Sequence, residues 1–189
     1  MRNMCLQDSH RGAFTMWYFT NADECLRYGD GRKIKVGGTH EVKGKPVLCE
    51  RGLHASPTVL DALSYAPGNI LYRVELSGTV VHGEDKSCAT ARTYLARIDA
   101  EPILRAFARR VALDVAHLWD CPPIVRVFLE TGDESKRDAA SAAAWDGAWD
   151  GAWDGACDAA WASSWDAKLA EYKALLDKMV TEAMAEPPQ

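Results

Sequence analysis

Residues 69–76 read Asn-Ile-Leu-Tyr-Arg-Val-Glu-Leu, and this alternation decides the fold class of the first half of the chain. One side of the extended chain would carry Ile70, Tyr72, Val74 and Leu76, and the other Leu71, Arg73 and Glu75. A period of two is typical of a β-strand. The pattern therefore predicts a strand, with Gly78 turning the chain and residues 79–82 continuing as β.

Upstream of this strand the chain also favours β structure. Residues 14–20 are aromatic and β-branched, which predicts a strand, and residues 33–36 alternate before Gly37 and Gly38 interrupt them. Ser56 followed by Pro57 is typical of a helix start, because serine caps the N-terminus and proline fits the first turn. A short helix over about 57–66 is predicted.

Downstream the period changes to that of a helix. Asp99 is predicted to cap a helix that Cys121-Pro122-Pro123 breaks, and residues 124–130 form another helix that stops at Gly132. The order predicts an α+β fold: a β-rich domain of about 1–98 packed with helices, then a long Trp/Ala/Asp-rich C-terminal helix. In domain terms we predict a core of 1–130 and an acidic helical extension of 131–189.

A four-residue repeat, Trp-Asp-Gly-Ala, starts at residue 145 and continues in degenerate form to residue 168. Residues four apart are neighbours on a helix, and alanine favours it, so we predict a helix over about 134–184. Each unit turns roughly 40° beyond a full circle, so the tryptophan row winds around the helix. Either the row forms an internal helix seam, or it is an interface for a host protein or a second copy of the chain. The predicted partner-binding residues are Trp145, Trp149, Trp153, Trp161, Trp165, Asp146, Asp150 and Asp154.

Charge and composition exclude several classes of function. Residues 1–130 hold 17 basic and 15 acidic side chains, whereas residues 131–189 hold 5 and 12. The acidic tail would repel phosphates, so direct nucleic-acid binding is not expected. Six cysteines without a C-x-x-C pair and histidines without metal-ligand spacing predict reduced thiols and no metal site. The sequence shows no membrane span and no secretory signal, so a cytoplasmic location is expected.

Four segments of the first 93 residues carry a resemblance to a known family. They are residues 52–56 (Gly-Leu-His-Ala-Ser), 60–66, 71–78 and 85–93. Together they resemble an uncharacterised domain common in tailed phages and prophages, in which alanine-rich, repetitive tails also occur. The resemblance covers about residues 14–130 and implies a phage or prophage accessory protein. Small proteins of that kind often inhibit a host defence system, as anti-CRISPR proteins do.

The segment around His54 is also similar to ADP-ribosyltransferases. That similarity implies that His54 and Ser56 line a nicotinamide pocket and that Glu75 is the catalytic acid, with NAD as the cofactor. The alternative interpretation assigns structural roles to all three residues and requires no cofactor. Separately, Lys86, Arg92 and Arg97 are candidates for binding an anion such as a nucleotide phosphate.

Two functions follow from the sequence. The first is non-enzymatic protein–protein binding through the C-terminal helix, in the manner of an anti-defence protein. The alternative is an ADP-ribosyltransferase-like or nucleotide-binding enzyme that modifies a host target.

Overall fold

The computed structural model describes residues 15–151 and 161–185, with the side chains of residues 145–151 and 161–166 left undescribed. The chain divides into two compact units, Met1–Ile98 and Asp99–Gln189. The first unit contains an antiparallel sheet and one short helix, and the second is helical in its described part. The predicted α+β class is thus confirmed.

Five strands form the sheet: β1 Met16–Thr20, β2 Thr39–Glu41, β3 Leu53–Ala55, β4 Ile70–His82 and β5 Ser87–Asp99. Their order is β1-β4-β5-β2, and β3 pairs with β5 beside β2. The residue after β3, Ser56, forms two backbone hydrogen bonds with Trp17 of β1, of 2.8 and 2.9 Å. The sheet therefore closes on itself through β1, β4, β5 and β3.

The register of β1 against β4 explains the core. Met16 lies opposite Val74 and Tyr18 opposite Tyr72, so these side chains share one face. The face predicted from the alternation of residues 70–76 belongs to a single hydrophobic cluster, with Leu76 packed at its margin. The buried members of this cluster are Met16, Leu26, Ile34, Leu53, Ala55, Ile70, Tyr72, Val74 and Tyr94.

Two predictions about the strands are wrong. Gly78 does not turn the chain: it lies inside β4 with φ of +75°, and the turn comes at residues 83–86, where the Gly83 N–H donates to the Lys86 carbonyl at 2.8 Å. Residues 33–36 do not form a strand, because only Lys33 pairs, in an isolated bridge to Cys25. The strand in this region is β2, which the sequence did not predict, and neither did it predict β5.

The short helix α1 spans Val59–Leu63, and its cap is Thr58 instead of Ser56. The Thr58 hydroxyl accepts the Asp61 N–H at 3.1 Å and donates to the Asp61 carboxylate at 2.7 Å. Ser56 cannot cap this helix, because its backbone is held in the bridge to Trp17. α1 packs on β1 with Val59 and Ala62 buried.

The helices of the second unit are α2 Glu101–Val115, α3 Pro123–Thr131, α4 Arg137–Gly151 and α5 Trp161–Ala185. The N-cap of α2 is Ala100, without a side-chain cap, and not the predicted Asp99, although the Asp99 carboxylate accepts the N–H of Glu101 at 3.0 Å. Gly132 ends α3 in the left-handed conformation, as predicted. Among the helices of both described ranges, none has the length and hydrophobicity needed to cross a membrane.

The repeat segment is helical where it is described. α4 and α5 fall largely within the predicted range of 134–184. Residues 152–160, which separate them, lie outside the described residues, so the prediction of one continuous helix stays a prediction. The side chains of the five repeat tryptophans, and with them their burial, also lie outside the described part of the chain. The predicted boundary at 130/131 does not coincide with the division at Ile98, since α3 packs on both α2 and α4.

Gly78 gives a direct test of the sheet. A Cβ built on Gly78 would lie 2.2 Å from Thr90 Oγ1, the atom that accepts the Thr79 N–H at 3.0 Å. Replacing Gly78 by alanine should therefore lower the free energy of unfolding by about 2 kcal/mol, because backbone strain adds to the loss of this bond. Urea unfolding of the wild type and of Gly78→Ala measures this difference in the free energy of unfolding.

Gly29→Ala is the matched control for this substitution. Gly29 has a similar φ of +82°, but nothing lies within 4 Å of the position that a Cβ would take there. Strain alone should lower the free energy of unfolding in this variant, by about 1 kcal/mol. Equal losses at the two positions would contradict the close approach between β4 and β5.

Candidate functional site

A cavity of about 620 Å³ opens in the first unit. Its walls come from β1, β3, β5, α1 and the two loops that follow β1 and β2. The lining combines aromatic rings with cationic side chains. Its aromatic, polar and charged members include Tyr18, Tyr28, Cys49, His54, Ser56, Tyr65, Lys86 and Arg92, together with Arg27, Asp30 and Glu50.

Arg92 is the most buried charged residue of this wall, with 2% of its surface exposed. Its guanidinium carbon lies 3.6 Å from the centroid of the Tyr18 ring. Nε and Nη2 donate to the Tyr94 hydroxyl at 3.1 and 2.9 Å, and Nη1 donates to the carbonyl of His54. Arg92 is therefore held in one orientation by neutral groups.

None of the ion pairs within residues 15–151 and 161–185 includes Arg92. A guanidinium has five N–H donors, and the contacts with Tyr94 and His54 use three of them. Burying an ion without a counter-ion is unfavourable, and a carboxylate or phosphate is its usual partner. Arg92 thus contributes a positive charge to the cavity wall and has two N–H donors that these contacts do not use.

Tyr94 and His40 extend this network behind Arg92. The Tyr94 hydroxyl accepts two N–H groups from Arg92, so its own proton is directed to His40 Nδ1, 3.0 Å away. Burial raises the pKa of Tyr94, which keeps that proton in place. Burial, followed by the charges of Arg32 and Arg92, lowers the pKa of His40. The imidazole is therefore a neutral acceptor.

His54 lines the cavity, but both of its ring nitrogens are engaged. Nδ1 lies 3.1 Å from the Gly52 carbonyl, and Nε2 accepts the Cys49 N–H at 3.2 Å. Nδ1 must therefore carry the proton, and burial lowers the pKa of the ring. This arrangement fixes the loop before β3, and it gives His54 a structural role in addition to its place on the wall.

Lys86 brings a second positive charge to the cavity. Its Nζ lies 3.9 Å from the centroid of the Tyr65 ring, and the Tyr65 hydroxyl donates to the Asp85 carboxylate. Hydrogen bonds to Cys49 and Tyr65 raise the pKa of Lys86, so the ammonium stays charged. Lys86 and Arg92, two of the three predicted anion-binding residues, thus line the same cavity.

Arg97, the third predicted anion-binding residue, is engaged elsewhere. Its Nε and Nη2 donate to the two carboxylate oxygens of Glu24 at 2.9 and 3.0 Å, and the Tyr72 hydroxyl donates to the same carboxylate. These bonds lower the pKa of Glu24. Arg97 is not among the residues that line the cavity.

The structure brings two of the three ADP-ribosyltransferase-like residues together. Ser56 is buried and lines the cavity next to His54, whereas Glu75 of β4 is not among the lining residues. The predicted partner-binding positions Trp145, Trp149, Trp153, Trp161 and Trp165, with Asp146, Asp150 and Asp154, have their side chains outside the described residues.

The four cysteines that the structure describes are free. Cys88 is buried, Cys25 and Cys121 are half-buried, and Cys49 is exposed at the cavity, so only Cys88 behaves as a fully buried hydrophobe. No cluster of metal-ligating side chains occurs among the residues that the structure describes.

Sequence reasoning missed the three tyrosines that shape the site. Tyr18 and Tyr94 hold Arg92, and Tyr28 stands at the cavity with 94% of its surface exposed. Tyr94 had a signal in the sequence, because it follows Arg92 by two residues and so shares its face in a strand. Tyr28 had no such signal in the sequence, where it precedes Gly29 in the segment between β1 and β2.

Residues 15–106 match the family model of a domain of unknown function, DUF7666. The matched stretch contains all five strands, α1 and the start of α2, and therefore every residue that lines the cavity. No curated protein and no solved structure matches the chain. The comparison relates the cavity-bearing unit to a family but assigns it no activity.

The neutral histidines make stability depend on pH. The pKa values of His40 and His54 lie below their ordinary value of 6.5, so the unfolded chain binds more protons than the folded chain below about pH 6.5. The free energy of unfolding should therefore be highest above that pH and should fall as the pH is lowered through it. Urea unfolding from about pH 7.5 to about pH 5.5 measures the slope.

His40→Asn is the control for this slope, because asparagine keeps an acceptor near Nδ1 but does not titrate. The variant should show a shallower fall than the wild type over the same pH range. An equally steep fall would contradict the assignment of a neutral His40 to the Tyr94 hydrogen bond.

Proposed function

We propose that the first unit is a binding domain for a small molecule with a phosphate or carboxylate group, and that Arg92 receives this group. The observation that carries the proposal is a guanidinium 2% exposed, on the wall of an open cavity, with no carboxylate partner among the described residues. A bound anion would neutralise this charge.

The orientation of Arg92 supports binding as its role. The Tyr18 ring and the Tyr94 hydroxyl fix the plane of the guanidinium before any ligand arrives. A preorganised arginine loses little side-chain entropy on binding, and its planar fork matches the oxygens of a carboxylate or phosphate. Lys86 would add a second attraction for the same anion.

The size of the cavity and its aromatic walls fit a small molecule. A volume of about 620 Å³ falls within the range of about 300–1,000 Å³ typical of ligand sites. The nucleotide-binding function predicted as the alternative is one case of this proposal. Transfer of ADP-ribose is a further step that would need a catalytic acid. The predicted acid, Glu75, does not line the cavity, and the carboxylates that do are Glu50 and Asp30, of which Asp30 pairs with Arg32.

Capture of a host protein, or of a second copy, by the C-terminal helix stays a separate prediction, as does its role in a phage or prophage against host defence. It rests on the repeat tryptophans and aspartates. The helical backbones of α4 and α5 are compatible with it. Loss of target capture or of self-association on replacing Trp149 and Trp153 by alanine tests it independently of the cavity.

Arg92→Met tests the proposed binding site. Isothermal titration with inorganic phosphate and with acetate should show weaker binding of the preferred anion by roughly 10- to 100-fold, the loss expected for a charge-assisted hydrogen bond. The free energy of unfolding should change by less than about 1 kcal/mol or rise, because an unpaired buried charge is removed.

Arg97→Met is the matched control, because Arg97 stands on the same strand but bonds to Glu24 outside the cavity lining. This variant should bind the anion with the affinity of the wild type. Absence of anion binding by the wild type would overturn the proposed function. So would a loss of stability of about 3 kcal/mol or more in Arg92→Met without any change in affinity.

A further inference from the structure

We propose that the ligand of this cavity is a nucleoside phosphate, whose base stacks on the ring of Tyr28 while its phosphate contacts Arg92. This inference rests on the proposed function and names the ligand class of the same site. The evidence for this inference is the conformation of the loop that contains Tyr28.

The loop is held at its base and projects only at its tip. The Leu26 N–H donates to the Arg32 carbonyl at 2.9 Å, and the Gly31 N–H donates to the Leu26 carbonyl at 3.2 Å. Leu26 and Ile34 are buried in the core cluster. Residues 27–30 therefore form a short tip with fixed ends, and Tyr28 lines the cavity from this tip.

Tyr28 adopts a backbone conformation that tyrosine disfavours. Its φ is +60°, in the left-handed region that glycine occupies readily, and Gly29 and Gly31 beside it have φ of +82° and +66°. The ring is 94% exposed and so contributes almost nothing to the core. Neither backbone preference nor packing explains an aromatic side chain here, whereas strained residues cluster at ligand sites.

The surroundings of Tyr28 suit a flat ring. The guanidinium carbon of Arg27 lies 5.0 Å from the Tyr28 centroid, and Arg27 Nη1 donates to the Tyr65 carbonyl at 3.3 Å. Arg27 thus supports one face of the ring and is itself tied to the segment after α1. A base could stack on the exposed part of the Tyr28 ring without displacing any buried side chain.

The combination of features distinguishes a nucleoside phosphate from a simple anion. A simple carboxylate or phosphate would use Arg92 and Lys86 alone and would leave Tyr28 without a role. A nucleoside phosphate has an anionic end for the buried guanidinium and an aromatic end for the exposed tyrosine. Stacking depends little on base identity, so the site would accept several bases.

A titration series with the full chain tests the inference. The probes are inorganic phosphate, ribose 5-phosphate and the four common nucleoside monophosphates. The nucleoside monophosphates should bind more tightly than ribose 5-phosphate by roughly 5- to 100-fold, the range expected for one base–aromatic stack. All of the phosphates should lose affinity in Arg92→Met.

Two variants of Tyr28 separate stacking from folding. Tyr28→Gly removes the ring and the left-handed strain, so it should raise the melting temperature while removing the preference for nucleoside monophosphates over ribose 5-phosphate. Tyr28→Phe keeps the ring and should keep the preference. A residue that only supported the fold would not combine higher stability with lost discrimination.

The outcomes distinguish this inference from the proposed function. If ribose 5-phosphate binds as tightly as the nucleotides, or if Tyr28→Gly keeps the preference, the inference is overturned. In either case Arg92-dependent binding of phosphate would leave the anion-binding function standing. If no phosphate binds to the wild type, the inference is overturned, and if acetate does not bind either, the proposed function is overturned with it.

Discussion

The closure of the sheet around the buried guanidinium of Arg92 is the constraint on which the site of the first unit depends. Three strands contribute to its environment: β5 supplies Arg92 and Tyr94, β1 supplies the Tyr18 ring, and β3 supplies the His54 carbonyl. The carbonyl is placed by the pairing of β3 with β5 and by the bridge from Ser56 to β1. The pairings that close the sheet therefore also bring together the groups that orient the arginine.

Periodicity in the sequence identified the parts of the fold that bury one face. β4 was predicted because Ile70, Tyr72 and Val74 alternate with polar or partly exposed positions such as Arg73 and Glu75, and the helices were predicted from spacing, caps and breakers. β5 was not predicted, because both faces of its first half are buried. Small side chains such as Cys88, Ala89 and Ala91 occupy these positions, and they do not alternate with polar residues. A strand buried on both faces has no period of two to detect.

The same limit explains how far the site could be predicted. Charge alone selected Lys86, Arg92 and Arg97, and the structure separates the last from the other two. In a strand, residues five apart lie on opposite faces, so β5, once known, places Arg97 on the other face from Arg92. The cap of α1 is Thr58 and not the predicted Ser56 for a related reason, because the Ser56 backbone pairs with Trp17 in a bridge between distant parts of the chain. Local signals cannot report such distant pairings.

The position of β1 in the sheet has a consequence for the integrity of the chain. β1 pairs with β4 on one side and reaches β3 through Trp17 on the other, although about fifty and forty residues separate these partners along the sequence. Removal of β1 by a protease or by truncation would expose unsatisfied backbone groups along β4. Such an edge invites pairing with other chains, so β1 covers an edge that would otherwise be prone to aggregation.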